Sequence, residues 1–481
     1  MCNNFLSQLA FILPELLITL GTVVLLMVGA FYTKNSYRNV GFFSLCLLVL
    51  AAAFLNVVPS SGTAFNGAVS VDNFTKYIKL LILVGSFSSI IMAYNKQGAC
   101  AKFELFILYL FATVGMLLMV SAANMLSLYL SLELQSLALY ALAAFSRNNL
   151  RSSEAGAKYF ILGSLSSGIL LYGISLIYGC TGQIGFYEIF AYFANTNYTP
   201  ALVFGVVFVI IAMAFKISAA PFHMWAPDVY EGSPTIVTAF FAGAPKIASF
   251  ALLTRLAIHS FAPLTAGPDV MHAWQQLIMI ISVCSMLIGA FGAIGQTNIK
   301  RLIAYSSIGH IGYILVSLIS GTTYAIFGVV TYLTIYLATT IGLFSFLLVL
   351  KNEHFVLDIK DLSGLNKSNS LLATAVTIYM FSLAGIPPLA GFFAKWYAFA
   401  AAVQSGFVAL ALVGVVTSVI SAFYYLRVIK IIWFDDPKLS FDNHSKPLLY
   451  LIGITSAFLV FYIIFAGKLN GIISIVANSL Y

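Results

Sequence analysis

A run of about twenty apolar residues, closed by polar punctuation, recurs along the whole chain and constrains it more than any other feature. Such a segment is stable in hydrocarbon only when its backbone amides and carbonyls are paired within it, so each run predicts a membrane-crossing helix. The runs fall at 9–32, 40–58, 73–94, 104–121, 124–145, 155–179, 200–221, 234–258, 272–293, 301–320, 324–350, 371–402, 407–431 and 447–466. The expected fold class is all-α: a polytopic transmembrane helical bundle of about fourteen spans. Composition agrees, since only 8% of the 481 residues are charged, against about 25% in a soluble domain. The first run, Leu9–Tyr32, lacks a basic leader and a small-residue cleavage site, and reads as a span rather than a cleaved signal.

Basic residues set the orientation. Lys34 and Arg38, Lys96 and Lys102, Arg147 and Arg151, Lys300 and Arg301, Lys351, Lys360 and Lys367, and Lys430, Lys438 and Lys446 all fall in odd-numbered loops. The even loops Val57–Val71, Cys180–Thr199 and Ser260–Met271 hold none. Odd loops are therefore expected on the cytoplasmic or matrix side, with both termini opposite. The seventh loop, His223–Ser233, departs by carrying Asp228 and Glu231. The net charge of +8 is spread over these loops without an aromatic-interleaved patch, which argues against nucleic acid as a partner. Cys2, Cys46, Cys100, Cys180 and Cys284 are scattered without a C-x-x-C, so they read as small apolar fillers, and no metal site is expected.

A few ionisable residues sit where lipid should be: Glu133 in the fifth span, Lys158 near the start of the sixth, Lys216 in the seventh, Lys246 in the eighth, His310 in the tenth and Lys395 in the twelfth. Each buried charge costs at least about 2.5–3.5 kcal/mol, so these groups are expected to face the bundle interior or water. A desolvated lysine releases and regains a proton near neutral pH, and a carboxylate nearby opposes the release. Glu133, taken as the only acid in mid-span, is the expected partner of Lys216 or Lys158. Such a row suits a proton relay. The plainer roles are salt bridges between helices for the lysines, snorkelling toward the cytoplasmic edge for Lys158 and satisfying a backbone carbonyl for His310, and Arg255 reads as an interfacial anchor.

Two spans look broken at depth. The seventh holds Pro221 five residues after Lys216, and the twelfth holds Pro387 and Pro388 ahead of Lys395. Proline frees backbone carbonyls in mid-membrane, which is tolerated where a cavity or ion path is lined. The breaks lie five spans apart, as two inverted five-helix repeats would require.

The segment Phe215-Lys-Ile-Ser-Ala-Ala-Pro-Phe-His-Met-Trp-Ala-Pro-Asp-Val-Tyr-Glu-Gly-Ser-Pro-Thr, followed by Ala244-Pro-Lys246, resembles the signature of the antiporter-like membrane subunits of respiratory complex I and of multisubunit sodium/proton antiporters. The resemblance covers nearly the whole chain. It places the family's key glutamate on Glu133, its broken-helix lysine on Lys216, its linking lysine on Lys246 and its twelfth-span ionisable group on Lys395, with an additional lysine at Lys158. Lys395, the segment Ala304-Tyr-Ser-Ser-Ile-Gly-His310 and the lack of a long lateral helix point to the complex I branch. The implied parts are residues 1–103 as three N-terminal spans, 104–260 and 261–432 as the two repeats, and 433–481 as a C-terminal span.

The resemblance further implies a subunit of a proton-pumping NADH-quinone oxidoreductase, working beside neighbouring antiporter-like subunits. NADH, FMN, iron–sulfur clusters and quinone are expected in those partner subunits and no cofactor on this chain, where no G-x-G-x-x-G follows a strand because no strands are expected. The full fourteen-span form implies a bacterial inner membrane rather than a mitochondrial one, with periplasmic termini. A sodium/proton antiporter subunit is the first alternative. A secondary solute transporter, which would need a pocket of convergent polar groups, and a purely structural anchor are the others.

Overall fold

The computed structural model describes residues 7–31, 35–94, 100–195, 199–263, 273–350, 358–437 and 445–481. Cys2 and the loop lysines Lys34, Lys96, Lys351 and Lys438 lie outside the described residues. Among those described, 13 helices are long and apolar enough to cross a bilayer. Two half-helices, Ser370–Ala384 and Ala390–Gln404, supply the remaining crossing. The expectation of about fourteen spans holds.

In chain order the helices are α1 (Leu13–Phe31), α2 (Ser36–Phe54), α3 (Asn73–Tyr94), α4 (Glu104–Ser121), α5 (Met125–Ala143), α6 (Leu150–Thr181), α7 (Phe186–Asn195), α8 (Pro200–Ile217), α9 (Trp225–Gly232) and α10 (Thr235–Ala242). They continue as α11 (Ala244–His259), α12 (Ala273–Ile294), α13 (Ile299–Leu318), α14 (Thr323–Val349), α15 (Leu365–Ser368), α16 (Ser370–Ala384), α17 (Ala390–Gln404), α18 (Val408–Phe434) and α19 (Lys446–Asn478). The chain forms two compact units: Met1–Ile217 with Gly232–Leu277 and Asn478–Tyr481, and Ser218–Glu231 with Ile278–Ala477.

In the first unit, α4 packs on α5, α6 on α8, and α11 against α3, α4 and α8. Asparagine starts the helices. Asn124 Oδ1 accepts the Ser127 amide at 2.7 Å and opens α5 with a capping box. Asn149 accepts from the Arg151 amide at 3.0 Å, which is why α6 begins at 150 rather than at the expected 155. A short antiparallel hairpin, β1 (Gly62–Ala64) with β2 (Val69–Val71), pairs Thr63 with Ser70. It corrects the expectation of no strands. Its three-residue strands lie between two spans, in one of the even loops.

In the second unit, α13 and α14 are the enclosed helices, packed against α17. Helix α13 is capped by Asn298, whose Oδ1 accepts the Lys300 and Arg301 amides at 2.9 and 3.3 Å. Gly289 of α12 and Gly309 of α13 let two backbones meet: a Cβ on Gly289 would lie 2.4 Å from the Gly309 nitrogen. Helix α19 runs to Asn478, well past the expected 466. Asn470, a polar residue beyond that point, is satisfied inside the helix run: its amide donates to Tyr397 Oη at 3.0 Å and its Oδ1 accepts from Tyr462 at 3.3 Å. Helices α1, α2 and α19 keep large apolar side chains outward, among them Leu20, Phe43 and Ile464, as lipid-facing helices do.

Candidate functional site

Glu133, Ser136 and Tyr140 follow one another at three- and four-residue spacing, so they share a face of α5. Lys216, in the last turn of α8, points at that face. Its Nζ donates to Ser136 Oγ at 2.8 Å and reaches Tyr140 Oη at 3.4 Å, lying 5.8 Å from the Tyr140 ring centre. Ser136 in turn donates to the Leu132 carbonyl at 2.7 Å. Lys216 is part-buried. Glu133 keeps a buried Oε1 without a hydrogen bond, close enough for its charge to act on Lys216. The expected carboxylate–lysine pair is thus present as neighbours and not as a contact.

The chain leaves helical geometry after Ile217, one residue beyond Lys216, with Ser218 at φ 64° and a cis Ala220–Pro221 bond. Lys246 lies at a break that the sequence reading missed. Gly243 (φ −106°, ψ −95°) separates α10 from α11, and Pro245 stands in the first turn of α11. Proline is tolerated there because its missing N–H is one of the unpaired donors of a helix start. Lys246, the next residue, is 2% exposed. Lys158 behaves differently. Its side chain is 42% exposed and pairs with Glu154 on its own helix at 2.8 Å, so this lysine is not the buried group expected.

In the second unit, His310 is held by tyrosines. Tyr332 Oη lies 2.6 Å from Nδ1 and Tyr425 Oη 3.0 Å from Nε2, and Tyr425 contacts Ser306 Oγ at 2.5 Å. Lys395 closes the other break. Helix α16 ends at Gly385, φ 83°, and a cis Pro387–Pro388 bond follows. The Lys395 ammonium donates to the Ala384 carbonyl at 2.9 Å and to Ser418 Oγ at 2.8 Å. A cation at a helix C-terminus meets both the freed carbonyl and the negative end of the helix dipole. Lys395 therefore satisfies the backbone that the proline break leaves open.

Other buried charges complete the picture. Arg255 is 3% exposed and donates to Asp72 Oδ2, Ser70 Oγ and Thr75 Oγ1, which corrects its reading as an interfacial anchor. Glu15 of α1 and Lys79 of α3 form an ion pair at 2.5 Å, both nearly unexposed. Glu133 is accordingly not the only acid inside a span. The acidic seventh loop is explained by Arg301, which binds Asp228 at 2.7 Å and Glu231 at 3.0 Å from the start of α13. His223, unremarked in the sequence, lies between α8 and α9 with its Nδ1 buried and without a hydrogen bond. Cys46, Cys100, Cys180 and Cys284 are unpaired and partly exposed, less buried than fillers would be. Among the described residues no three His, Cys, Asp or Glu side chains converge on a metal-sized site.

Comparison with known proteins places these residues in a family context. The profile of the family described as "NADH:quinone oxidoreductase/Mrp antiporter, TM" matches residues 122–421, a stretch holding all six candidate relay residues. The NADH-quinone oxidoreductase subunit N of Bartonella bacilliformis is 50% identical over 485 aligned positions, covering 100% of this chain and 99% of the relative. A chain of respiratory complex I from Thermus thermophilus, solved with bound aureothin, superposes with a TM-score of 0.82 at 30% identity, covering 95% of this chain and 98% of that one. A chain of the Mrp complex from Dietzia sp. superposes with a TM-score of 0.83 at 20% identity over 98% of both, a likeness of fold alone.

Proposed function

The chain belongs to the NADH:quinone oxidoreductase/Mrp antiporter family of membrane proteins, and from that premise we propose that its buried lysines move protons as part of a proton-pumping NADH-quinone oxidoreductase. It is a membrane subunit of such a translocase, set among other antiporter-like membrane subunits, and does no redox chemistry itself. NADH, FMN, iron–sulfur clusters and quinone act in its partners. Identity of 50% along the full length to a subunit N supports this reading over a sodium/proton antiporter subunit, to which the likeness is one of fold.

The observation that carries the proposal is the siting of lysines at helix breaks. Lys216 lies in the last turn of α8 ahead of Pro221, Lys246 in the first turn of α11 after Gly243, and Lys395 caps the carbonyl left open at Ala384. Breaks at membrane depth bring backbone dipoles and water to places where a lysine exchanges its proton. Glu133 biases Lys216, and His310 is the intermediate acceptor. Lys158, on the exposed face of α6, stands at the entry side. The relay divides between residues 104–260 and 261–432, flanked by 1–103 and 433–481. The lysines and arginines of the odd loops support an orientation with those loops in the cytoplasm of a bacterium and both termini in the periplasm.

The test is proton translocation by the intact complex, purified and reconstituted in vesicles, with Lys216→Ala, Lys246→Ala or Lys395→Ala in this subunit. Each is expected to lower protons moved per electron transferred by several-fold in fully assembled complex. Unchanged ratios in all three would leave the row a structural feature only.

A further inference from the structure

Tyr313 stands three residues beyond His310 on α13, with its ring edge-on to the imidazole at 5.8 Å. The Lys395 ammonium lies 5.1 Å from the centre of the same ring. One aromatic side chain thus touches both ionisable groups of this unit's candidate site. Tyr313 is 1% exposed. Its hydroxyl faces Thr417, Ser418 and Ser421 of α18, with none of them in ordinary hydrogen-bonding geometry.

That combination is unusual, because a buried hydroxyl almost always has a partner. A phenol among three hydroxyls and locked in close geometry with none turns toward any of them, or toward a water bridging the gap. Ser418 already accepts from Lys395 Nζ at 2.8 Å. On the opposite side, the hydroxyls of Tyr332 and Tyr425 occupy both nitrogens of His310.

We propose that the Tyr313 hydroxyl carries protons between Lys395, reached through Ser418, and the tyrosine-ringed His310. This rests on the relay reading above and adds its path within one unit. In the step, the Tyr313 hydroxyl turns to Ser418, the Lys395 ammonium gives a proton to Ser418 Oγ, and Ser418 passes its own to Tyr313 Oη. Tyr313 releases its original proton through a bridging water to the Tyr332 hydroxyl, which delivers one to His310 Nδ1. Each hydroxyl and the water end neutral and intact; Lys395 becomes a neutral amine and His310 an imidazolium. The reverse sequence resets the path. A hydroxyl both accepts and donates, which the phenyl ring alone cannot do.

The experiment uses the intact complex in vesicles, reading protons translocated per electron, assembly and the solvent isotope effect. Tyr313→Phe keeps the ring and its packing against His310 and Lys395 but removes the hydroxyl. A several-fold loss of translocation and an altered isotope effect, with assembly unchanged, is the expected result. Ser418→Ala should reproduce the loss and Ser418→Thr restore it, a pattern that also decides the matter should Tyr313→Phe fail to assemble. Wild-type ratios in Tyr313→Phe and Ser418→Ala, with Lys395→Ala impaired, overturn the hydroxyl path and leave the relay standing. A wild-type ratio in Lys395→Ala instead removes this arm of the relay itself.

Discussion

Lys216 donates to Ser136 Oγ at 2.8 Å, three residues along the same helix from Glu133, with which it forms no ion pair. The serine is what positions the ammonium, and the carboxylate acts from a distance. A lysine held by a hydroxyl is easier to discharge than one locked in a carboxylate pair, because giving up the proton leaves no unpaired anion in contact with it.

Ser136→Ala should therefore impair the relay without disturbing the fold. Hydrogen bonds to charged groups contribute about 1.5–3 kcal/mol, enough to shift where Lys216 rests. The expected outcome is a several-fold lower proton-to-electron ratio in reconstituted complex, with recovery in Ser136→Thr. An equal loss in both variants would mean that bulk, not the hydroxyl, matters at this position.

Gly385→Ala should damage the second break. Gly385 sits at φ 83°, where a side chain costs roughly 1–2 kcal/mol. Its added Cβ would also lie 2.9 Å from Lys395 Cδ, so the lysine must move off the Ala384 carbonyl it caps. Thermal unfolding of the purified complex and its pumping ratio should both fall. Gly453→Ala, on an open face of α19 with nothing within 4 Å of the new methyl group, is the matched control and should change neither.

Asp72 gives a pH prediction outside the spans. Burial alone would raise its carboxyl, but the Arg255 guanidinium and the Thr75 amide and hydroxyl outweigh that and hold it below its ordinary value. A carboxylate depressed in the folded state adds stability above its unfolded pKa, near about 4, and loses it as pH falls through the lower folded value. Wild-type protein should lose this contribution on acidification below about pH 4. Asp72→Asn should be less stable at neutral pH, by about 3 kcal/mol for a broken buried pair, and flatter below pH 4. Melting curves across that range decide it. A variant with the wild-type acid slope would place the sensitivity elsewhere.

Sequence carried much of this architecture because hydrocarbon permits few solutions: apolar length sets a span, and a charge within it must find a partner. Pro221 and Pro387–Pro388 announced their breaks for the same reason. The break at Gly243 was hidden by its continuity of hydropathy from Thr235 to His259, which a single glycine does not interrupt. Lys158 is exposed because helical rotation, not depth, decides which side chains are enclosed, and Glu154 one turn away is the sequence sign of an outward face. The partners of Arg255 and Lys79 lie far off in the chain, Asp72 183 residues away in the loop ahead of α3 and Glu15 on α1, where periodicity has no reach. The tyrosines around His310 come from α13, α14 and α18, and read individually as ordinary packing residues.

The Glu15–Lys79 pair has a consequence for how the protein is made. Synthesis runs from the N-terminus, so α1 enters the bilayer carrying a carboxyl whose partner has not yet left the ribosome. Only when α3 arrives is that carboxyl matched. The first three helices are therefore committed together, with α1 provisional until the third has docked. Truncation before Lys79 would leave a segment that inserts poorly and is cleared by quality control.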